Sequence, residues 1–240
     1  MPTACAHPPQ AVSDSRILLS VVVPVLNEAA AIVATLQALA PLRSQGVEVI
    51  VVDGHSSDGT PQTARPLADA VLEAPRGRAA QMNAGAAQAR GGVLLFLHAD
   101  TLLPPTALAD VLGAVQTGGA AWGRFDVTIT GASPLFKLIA AMMNRRSRWT
   151  GIATGDQAIF VTRAAFDAVG GFPLQPLMED IEISKRLRRI GRPACLTARV
   201  STSGRRWERH GVWHTVLLMW RLRLLYWLGV PAKTLSRSYR

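Results

Sequence analysis

The stretch that decides the fold is Val93-Leu-Leu-Phe-Leu-His98-Ala99-Asp100, an uninterrupted apolar run that ends in a carboxylate. Such a run predicts a strand that is buried on both faces of a parallel sheet. Two earlier runs end in the same way: residues 47–52 precede Asp53, and residues 18–23 precede the polar segment 24–28. Ligands bind outside the carboxyl ends of the strands in open α/β sheets. The sequence therefore predicts three buried strands whose polar ends share one ligand-binding edge.

Alanine-rich segments separate these runs and have the spacing of helices. Asn27 is placed to cap a first helix that extends to about residue 39, and Asp58 or Thr60 caps a second one. A third helix is expected over residues 77–90, and a later strand over residues 121–129. This β-α-β order requires parallel strands joined by right-handed crossovers. We therefore expect an α/β fold with a Rossmann-like, mostly parallel sheet and helices on both faces.

At 240 residues, 49% of them hydrophobic, the chain is long enough for one α/β domain with a full core. We expect this domain over residues 17–210, followed by an amphipathic helix and basic tail over residues 211–240. Residues 1–16 lack the apolar run of a signal peptide, which predicts a disordered lead-in. Cys5 and Cys195 match no metal or disulfide framework, so we expect a cytoplasmic protein with Cys195 in its core.

The net charge of +10 is concentrated at the C-terminal end. Residues 1–182 hold twelve Lys or Arg against fifteen Asp or Glu, whereas residues 183–240 hold fourteen against one. A basic segment can bind nucleic acid, anionic lipid or an anionic substrate. The sequence contains no nucleic-acid-binding motif, so the expected partner is lipid or phosphate and not nucleic acid.

The segment 212–229 has the pattern of a helix that lies on a membrane surface, with Arg221 and Arg223 at the two edges of an apolar stripe. The stripe consists of Trp213, Val216, Leu217, Trp220, Leu224, Trp227 and Leu228. The two arginines interrupt the roughly 20 apolar residues that a membrane span requires. We expect peripheral contact with the anionic inner face of the cell membrane, while Leu218, Leu222 and Leu225 pack on the domain. The alternative is a helix buried on both faces, in the core or in a dimer.

The polar ends of the predicted strands suit a nucleotide and a metal ion. Asp53 is placed to accept a hydrogen bond from a base edge, and the rim residues Asn27 and Glu28 approach the ribose. Pro24, in the same segment, is also expected to bind the donor. Capping of the following loop is the other interpretation of Asp53. Asp100 supplies the oxygen ligand that Mg²⁺ or Mn²⁺ prefers when it bridges a diphosphate.

His98 would serve as a second metal ligand if the metal is Mn²⁺, or would form a hydrogen bond with the sugar or phosphate. A histidine at a strand end also commonly has a structural hydrogen bond. Arg76 and Arg78 stand where the third helix begins, where guanidinium and backbone N–H groups together suit a diphosphate. A solvated helix start is the alternative interpretation of these two arginines.

These motifs, together with Glu179-Asp180 at the start of a helical pattern, resemble the glycosyltransferase family 2 enzymes of GT-A fold. The resemblance implies an inverting transfer of sugar from a nucleoside-diphosphate donor, with UDP the expected nucleotide, to a hydroxyl acceptor that is lipid-linked or small. It makes Asp180 the general base, because direct displacement requires a carboxylate within reach of the incoming hydroxyl. Glu179 would orient the base or the acceptor, and Gln157 would hydrogen-bond the donor or acceptor. Acidic residues also favour helix N-termini for electrostatic reasons alone.

The chain departs from the family pattern at three positions. The family has a second acid where this chain has Gly54, and His98-Ala99-Asp100 replaces its Asp-x-Asp metal motif. In the family's Arg-Asn-x-Gly element, Asn83 and Gly85 match but Met82 replaces the arginine, which moves the expected phosphate contact to Arg76 or Arg78.

A basic element, Arg205-Arg-Trp-Glu208, makes the chain most similar to a bacterial subgroup named for its association with radical-SAM and selenoprotein genes. Some of its members are assigned to arsenosugar biosynthesis. In the same loop, His210 is a candidate metal or phosphate contact.

Two other functions stay open at this point. A nucleotidyltransferase would need a basic Gly-rich loop that Leu26-Asn27-Glu28 does not provide, and a non-catalytic nucleotide-binding or membrane scaffold would tolerate His98.

Overall fold

The structure, a computed structural model, describes residues 18–237 apart from the side chains of Arg206 and His210. The predicted lead-in and Cys5 lie outside the described residues. The strands are β1 (Leu19–Val25), β2 (Glu48–Asp53), β3 (Ala70–Glu73), β4 (Val93–Phe96), β5 (Thr101–Leu102), β6 (Trp122–Thr130), β7 (Ile159–Thr162) and β8 (Ala194–Ser203). The helices are α1 (Ala29–Arg43), α2 (Thr60–Ala64), α3 (Arg78–Gln88), α4 (Ala107–Leu112), α5 (Leu135–Thr150), α6 (Arg163–Ala168), α7 (Glu179–Leu187), α8 (Arg205–His210), α9 (Val212–Trp227) and α10 (Ala232–Arg237).

Within residues 18–237 the strands form one sheet in the order β3-β2-β1-β4-β7-β6-β8-β5. The pairs β3/β2, β2/β1 and β1/β4 are parallel, as the apolar runs predicted. Beyond β4 the sheet is mixed, because β7 is antiparallel to both β4 and β6, while β6 and β8 are parallel. The predicted α/β class and mostly parallel sheet are confirmed for the half that carries the polar strand ends.

Alternation along the central strands assigns their side chains to two cores. Val21, Val49 and Leu95 belong to a core that includes residues of α1, whereas Val22 and Ile50 belong to a second core that includes residues of α3. Successive side chains of a strand point to opposite faces. The sheet therefore carries helices on both faces, as predicted.

Several boundaries differ from the sequence predictions. The strand that begins at Val93 ends at Phe96, so Asp100 lies in the turn before β5 rather than on the strand. Helix α1 begins at Ala29 and continues through Pro41 to Arg43, and Asn27 does not cap it. Instead, the loop after β2 caps this helix, because Asp58 Oδ2 accepts a hydrogen bond from Ala29 N at 3.0 Å.

Helix α5 was not predicted, although its buried residues Phe136, Ile139 and Ala140 have helical spacing. Cys195 is only partly buried on β8, so its prediction as a core residue is wrong. Its thiol lies 3.7 Å from the carbonyl oxygen of Pro193.

Helix α9 packs on the domain through the face that the sequence predicted. Leu222 is buried against Leu177 and Met178, and Leu218 and Leu225 are partly buried in the same cluster. The opposite side of α9 faces outward. Its exposed large side chains are Trp213, Leu217, Trp220, Leu224 and Trp227, followed by Leu228. Residues 18–237 therefore do not bury both faces of this helix. None of the helices described for residues 18–237 has the length and apolar character needed to cross a membrane.

Candidate active site

A cavity of about 850 Å³ opens at the carboxyl ends of β1 and β4. Its walls include the starts of α3 and α7 and residues of α8 and α9. The charged side chains that line it are Glu28, Asp100, Asp156, Asp180, Arg78, Arg205, Arg209 and Arg223, with His98 among them. Four carboxylates and four arginines therefore surround one open space, which is the arrangement expected for an anionic ligand bound with a cation.

Asp53 ends β2 and is almost fully buried, with 2% of its surface exposed. Its Oδ2 accepts a hydrogen bond from Ser56 N at 2.8 Å, so one oxygen does cap the following loop. Its Oδ1 is also buried and has no hydrogen-bond partner among the described residues. A buried carboxylate oxygen without a partner is costly. One oxygen therefore caps the following loop, whereas the other has no partner among the described residues, and Asp53 itself does not line the cavity.

Pro24, Asn27 and Glu28 line the cavity next to this loop. Asn27 has a left-handed backbone, with φ of 55°, and its Oδ1 accepts a hydrogen bond from Ser57 N at 2.9 Å. Glu28 N donates to Thr60 Oγ1 at 2.9 Å. The two loops after β1 and β2 are thereby fixed to each other, which gives this side of the cavity a defined shape.

Gln81 connects helix α3 to the same edge of the sheet. Its buried Nε2 donates to the carbonyl oxygens of Val25 at 2.7 Å and Val52 at 2.8 Å, where β1 and β2 end. A Cβ at Gly54 would lie 3.1 Å from this Nε2. The glycine that replaces the family's second acid therefore makes room for Gln81. Sequence reasoning did not assign Gln81 a role.

Arg78, at the start of α3, forms an ion pair of 2.8 Å with Glu179, at the start of α7. Burial raises the pKa of Glu179, Arg78 opposes this effect, and the charge of Asp180 adds to it. Glu179 is 3% exposed and does not line the cavity, and its Oε2 has no hydrogen-bond partner among the described residues. Arg78 does line the cavity, so Glu179 acts on the site through this arginine.

His98 pairs with Asp156, a residue that the sequence interpretation passed over in favour of its neighbour Gln157. His98 Nδ1 lies 3.3 Å from Asp156 Oδ1. Burial alone would lower the pKa of His98, but the hydrogen bond with Asp156 and its charge outweigh burial, and the pKa is raised. The structural hydrogen bond considered for a strand-end histidine is therefore present, and the cation that it favours is suited to a phosphate.

Asp100 lines the cavity with about a third of its side chain exposed, and Arg205 Nη2 lies 3.8 Å from its Oδ2. The same guanidinium nitrogen lies 3.4 Å from Glu28 Oε2. Burial and the nearby charge of Asp100 raise the pKa of Glu28. Arg205 thus joins the two acidic residues of this edge, and sequence reasoning had placed it only in a general basic loop.

Asp180 is the cavity-lining member of the Glu179-Asp180 pair. Its Oδ2 accepts a hydrogen bond from Gly155 N at 3.0 Å, and its Oδ1 accepts one from Ile181 N at 2.8 Å. Two backbone donors fix the orientation of the carboxylate, and each oxygen keeps a further lone pair. The group is held in one position and can still accept a proton from a bound hydroxyl.

The described residues contain no cluster of three His, Cys, Asp or Glu side chains that would hold a metal ion by itself. Mg²⁺ in phosphate-transfer sites is bound through one or two carboxylates, with substrate phosphates and water completing the shell. Asp100, accessible in the cavity, fits this requirement. His98 is engaged with Asp156 through Nδ1 and has a raised pKa, which makes it a weaker ligand than the sequence suggested.

Three residues predicted for the donor site lie elsewhere. Arg76 is exposed and does not line the cavity. Asn83 exchanges hydrogen bonds with the backbone of Phe172, at 2.8 and 2.9 Å, which fixes the loop before α7. Gln157 is fully buried in a capping box with Thr154, and the same short turn directs Asp156 into the cavity. The side chain of His210 lies outside the described part of the chain.

Comparison with solved structures gives the same fold. The TarS fragment 1–349 of S. aureus aligns with a TM-score of 0.63 at 20% identity, over 78% of this chain and 60% of that one. The mannosyltransferase PcManGT of Pyrobaculum calidifontis, in complex with GDP-Man and Mn²⁺, aligns with a TM-score of 0.58 at 24% identity, over 81% and 60%. This chain therefore spans about three fifths of the TarS fragment and of PcManGT.

Glucosyl-3-phosphoglycerate synthase of Mycobacterium tuberculosis, in complex with Mn²⁺, UDP and glucosyl-3-phosphoglycerate, aligns with a TM-score of 0.58 at 18% identity, over 83% of this chain and 77% of that one. No curated protein matches the sequence. Residues 20–172 match the model of Glycosyl transferase family 2, and this stretch is more than half of the chain. It covers the chain from the second residue of β1 to beyond β7, including the edge at which Asp53 and Asp100 lie. The chain therefore belongs to glycosyl transferase family 2 and has the GT-A fold.

Proposed function

We propose that the protein transfers a sugar, with inversion, from a UDP-linked donor to a hydroxyl acceptor. One observation carries the proposal: the carboxylates of Asp100 and Asp180 line the same cavity of a family 2 glycosyltransferase. A carboxylate that binds a cation and a second one that accepts a proton are the two groups that such a displacement requires.

The donor nucleotide is assigned to the wall formed by Pro24, Asn27 and Glu28, with Asp53 buried at the end of the neighbouring strand β2. The unpartnered Oδ1 of Asp53 supports an acceptor role toward a base N–H. Similar proteins were solved with UDP, among them TarS and glucosyl-3-phosphoglycerate synthase. The diphosphate would then approach Arg78, Arg205 and His98 at the cavity wall.

A divalent cation, Mg²⁺ or Mn²⁺, is assigned to Asp100. When bound, it would neutralise charge that develops on the departing diphosphate. Related structures contain Mn²⁺ or Mg²⁺. Arg205, 3.8 Å from Asp100, would contribute a permanent positive charge to the same leaving group.

In the proposed step, the acceptor oxygen forms a bond to the anomeric carbon as the bond from that carbon to the diphosphate oxygen breaks. The acceptor proton passes to Asp180, and UDP leaves with the electron pair of the broken bond. Gly155 N and Ile181 N hold the Asp180 carboxylate in place. Glu179 is a positioning residue, since it contacts Arg78 rather than the cavity.

Membership of the bacterial subgroup associated with radical-SAM and selenoprotein genes, some of whose members are assigned to arsenosugar biosynthesis, is supported by the Arg205–Glu208 element. In this element Glu208 Oε1 accepts a hydrogen bond from Ala132 N at 2.9 Å, so the element contributes to the structure. Nucleotidyl transfer is less favoured, because the loop Leu26-Asn27-Glu28 has no basic residue.

We also assign the exposed stripe of α9 to peripheral contact with an anionic membrane on the cytoplasmic side. The stripe leaves three tryptophans at least 63% exposed. The net charge of residues 183–240 is +13. Apolar area and positive charge on one surface are the two features that bind helices to anionic lipid.

Isothermal titration with UDP, GDP and CDP, with and without Mn²⁺, tests the donor assignment. Metal-dependent binding of UDP above the other two is expected. Equal binding of all three nucleotides would contradict the assignment of the base to Asp53 and its neighbours.

A further inference from the structure

A second cavity, of about 480 Å³, adjoins the candidate active site. Residues of α5 and α9 form its walls, and three of the six are arginines. The lining residues are Arg146, Arg221, Arg223, Leu217, Trp220 and Leu224. Arg223 lines both cavities, so the two spaces share a wall.

Arg146 is the feature of this cavity that requires an explanation. Its Nε and Nη2 atoms are buried and have no hydrogen-bond partner among the described residues. Burial lowers the pKa of Arg146 to about 10, and the positive charge of Arg223 acts in the same direction. Buried guanidinium donors are normally paired, since leaving them unpaired costs free energy. The chain therefore keeps two like charges close together at a place where an anion would stabilise both.

The position of this pair assigns it to the acceptor side of the active site. Arg146 and Arg223 are close enough to Asp156 to interact with it electrostatically, and Arg146 interacts in the same way with Asp180, the proposed base. The donor side has its own cation, because Arg205 lies beside Glu28 and Asp100. The donor diphosphate therefore does not require the arginine pair beside Asp180.

We propose that Arg146 and Arg223 bind a phosphate group carried by the sugar acceptor. This inference rests on the proposed function, because it names the class of acceptor for the same active site. A guanidinium group matches two phosphate oxygens with two parallel N–H donors, which suits the free Nε and Nη2 edge of Arg146. Leu217, Trp220 and Leu224 would contact the apolar part of the acceptor.

The phosphate can belong to a small soluble compound or to a lipid headgroup, and the probes separate the two. Glycerol 3-phosphate, titrated into protein saturated with UDP and Mg²⁺, represents the soluble source, with glycerol as the uncharged control. Vesicles of phosphatidylglycerol represent the lipid source, with phosphatidylcholine vesicles as the control. Binding that depends on Arg146 in either arm supports the inference and identifies the source.

Arg146→Gln is compared with Arg145→Gln, which removes the same charge from the exposed neighbour on the same helix. Loss of a charged hydrogen bond predicts about ten- to a hundredfold weaker binding in Arg146→Gln alone. Arg223→Gln gives the same test from the other helix, should Arg146→Gln fail to fold by circular dichroism. Equal binding by the position-145 and position-146 variants in both arms overturns the inference.

The UDP titration that precedes these arms reports separately on the proposed function. If UDP binds but the phosphate probe does not depend on Arg146, the acceptor inference alone fails. If UDP does not bind, the proposed function fails, and the comparison of the two variants in the free protein still decides whether Arg146 forms a phosphate site.

Discussion

Arg78 and Glu179 are joined by an ion pair of 2.8 Å that connects the first turns of α3 and α7. The two residues are about a hundred positions apart in the sequence. The Glu179 side chain is 4% exposed and the Arg78 side chain is 42% exposed. The buried Glu179 carboxylate therefore holds the Arg78 guanidinium at the cavity wall. The same ion pair fixes the start of α3 relative to the start of α7, the helix that carries Asp180.

Replacement of this arginine should alter the pH dependence of stability. In Arg78→Gln the pKa of buried Glu179 should rise further, because the opposing charge is gone. The folded state then binds the Glu179 proton more tightly than the unfolded state, so the free energy of unfolding falls as pH rises from 4.5 through the raised pKa. Relative to wild type, we expect the free energy of unfolding of Arg78→Gln to be about 1 kcal/mol lower at pH 7.5, a value that allows for the partial exposure of Arg78. In acid the difference should disappear.

Urea unfolding of Arg78→Gln and wild type between pH 4 and pH 8 measures this difference. Arg76→Gln is the matched control, since it removes an exposed arginine that does not line the cavity. A difference between Arg78→Gln and wild type that is the same at every pH would mean that Glu179 is not the group responsible.

Asp180→Asn should separate donor binding from chemistry. Removal of a general base lowers the rate by about 10² to 10⁴, whereas the nucleotide site is formed by other residues. Single-turnover transfer measures the rate, and UDP titration measures binding. Asp167→Asn, an exposed position on α6, serves as the control and should leave both unchanged. Transfer by Asp180→Asn at close to the wild-type rate would move the base elsewhere, with Glu179 the next residue to replace.

Asp100→Ala should weaken metal-dependent nucleotide binding without unfolding the protein. The side chain is partly exposed in the cavity and belongs to neither apolar core, so little packing is lost. UDP affinity with Mn²⁺ should fall to the value measured with EDTA. If the Mn²⁺-dependent gain in UDP affinity survives in this variant, Asp100 does not bind the metal.

The strand pattern predicted which polar residues lie at one edge of the sheet. Asp53, Asp100 and Glu28 follow apolar runs, and the parallel sheet brings all three strand ends to one edge. The order of buried strands is enough for this because parallel strands end on the same side. Asp180 was found for a similar reason, since an acidic pair stands at the start of a helical pattern.

The residues that sequence reasoning missed or misplaced are fixed by hydrogen bonds that the sequence pattern does not show, some within one turn and some between distant segments. Asp156 and Gln157 are neighbours in a short turn, and only the capping box with Thr154 decides which of them enters the cavity. Asn83 matches a family motif, but both ends of its amide bind the backbone of Phe172. Helix α5 was missed because its apolar residues are interrupted by Lys137 and by the polar run Asn144–Ser147, although its buried face is regular.

Helix α9 should bind the protein to anionic membranes. Trp220 and Trp227 are 63% and 77% exposed on a helix whose other face packs on Leu177 and Met178. Each basic residue near an anionic surface contributes roughly 1 kcal/mol, and salt screens this attraction. Wild type should therefore sediment with phosphatidylglycerol vesicles at low salt, and less so at high salt or with phosphatidylcholine.

Trp220→Glu combined with Trp227→Glu should remain in the supernatant, because each change replaces an apolar contact with a charge that anionic lipid repels. Neither side chain is buried, so the double variant should keep the fold, which circular dichroism checks. Trp149→Glu is the control, since this tryptophan is 83% exposed but lies on α5. Sedimentation of the folded double variant at the wild-type level, or equal loss in Trp149→Glu, would show that the stripe on α9 does not bind the membrane and would favour contact with a second copy of the chain.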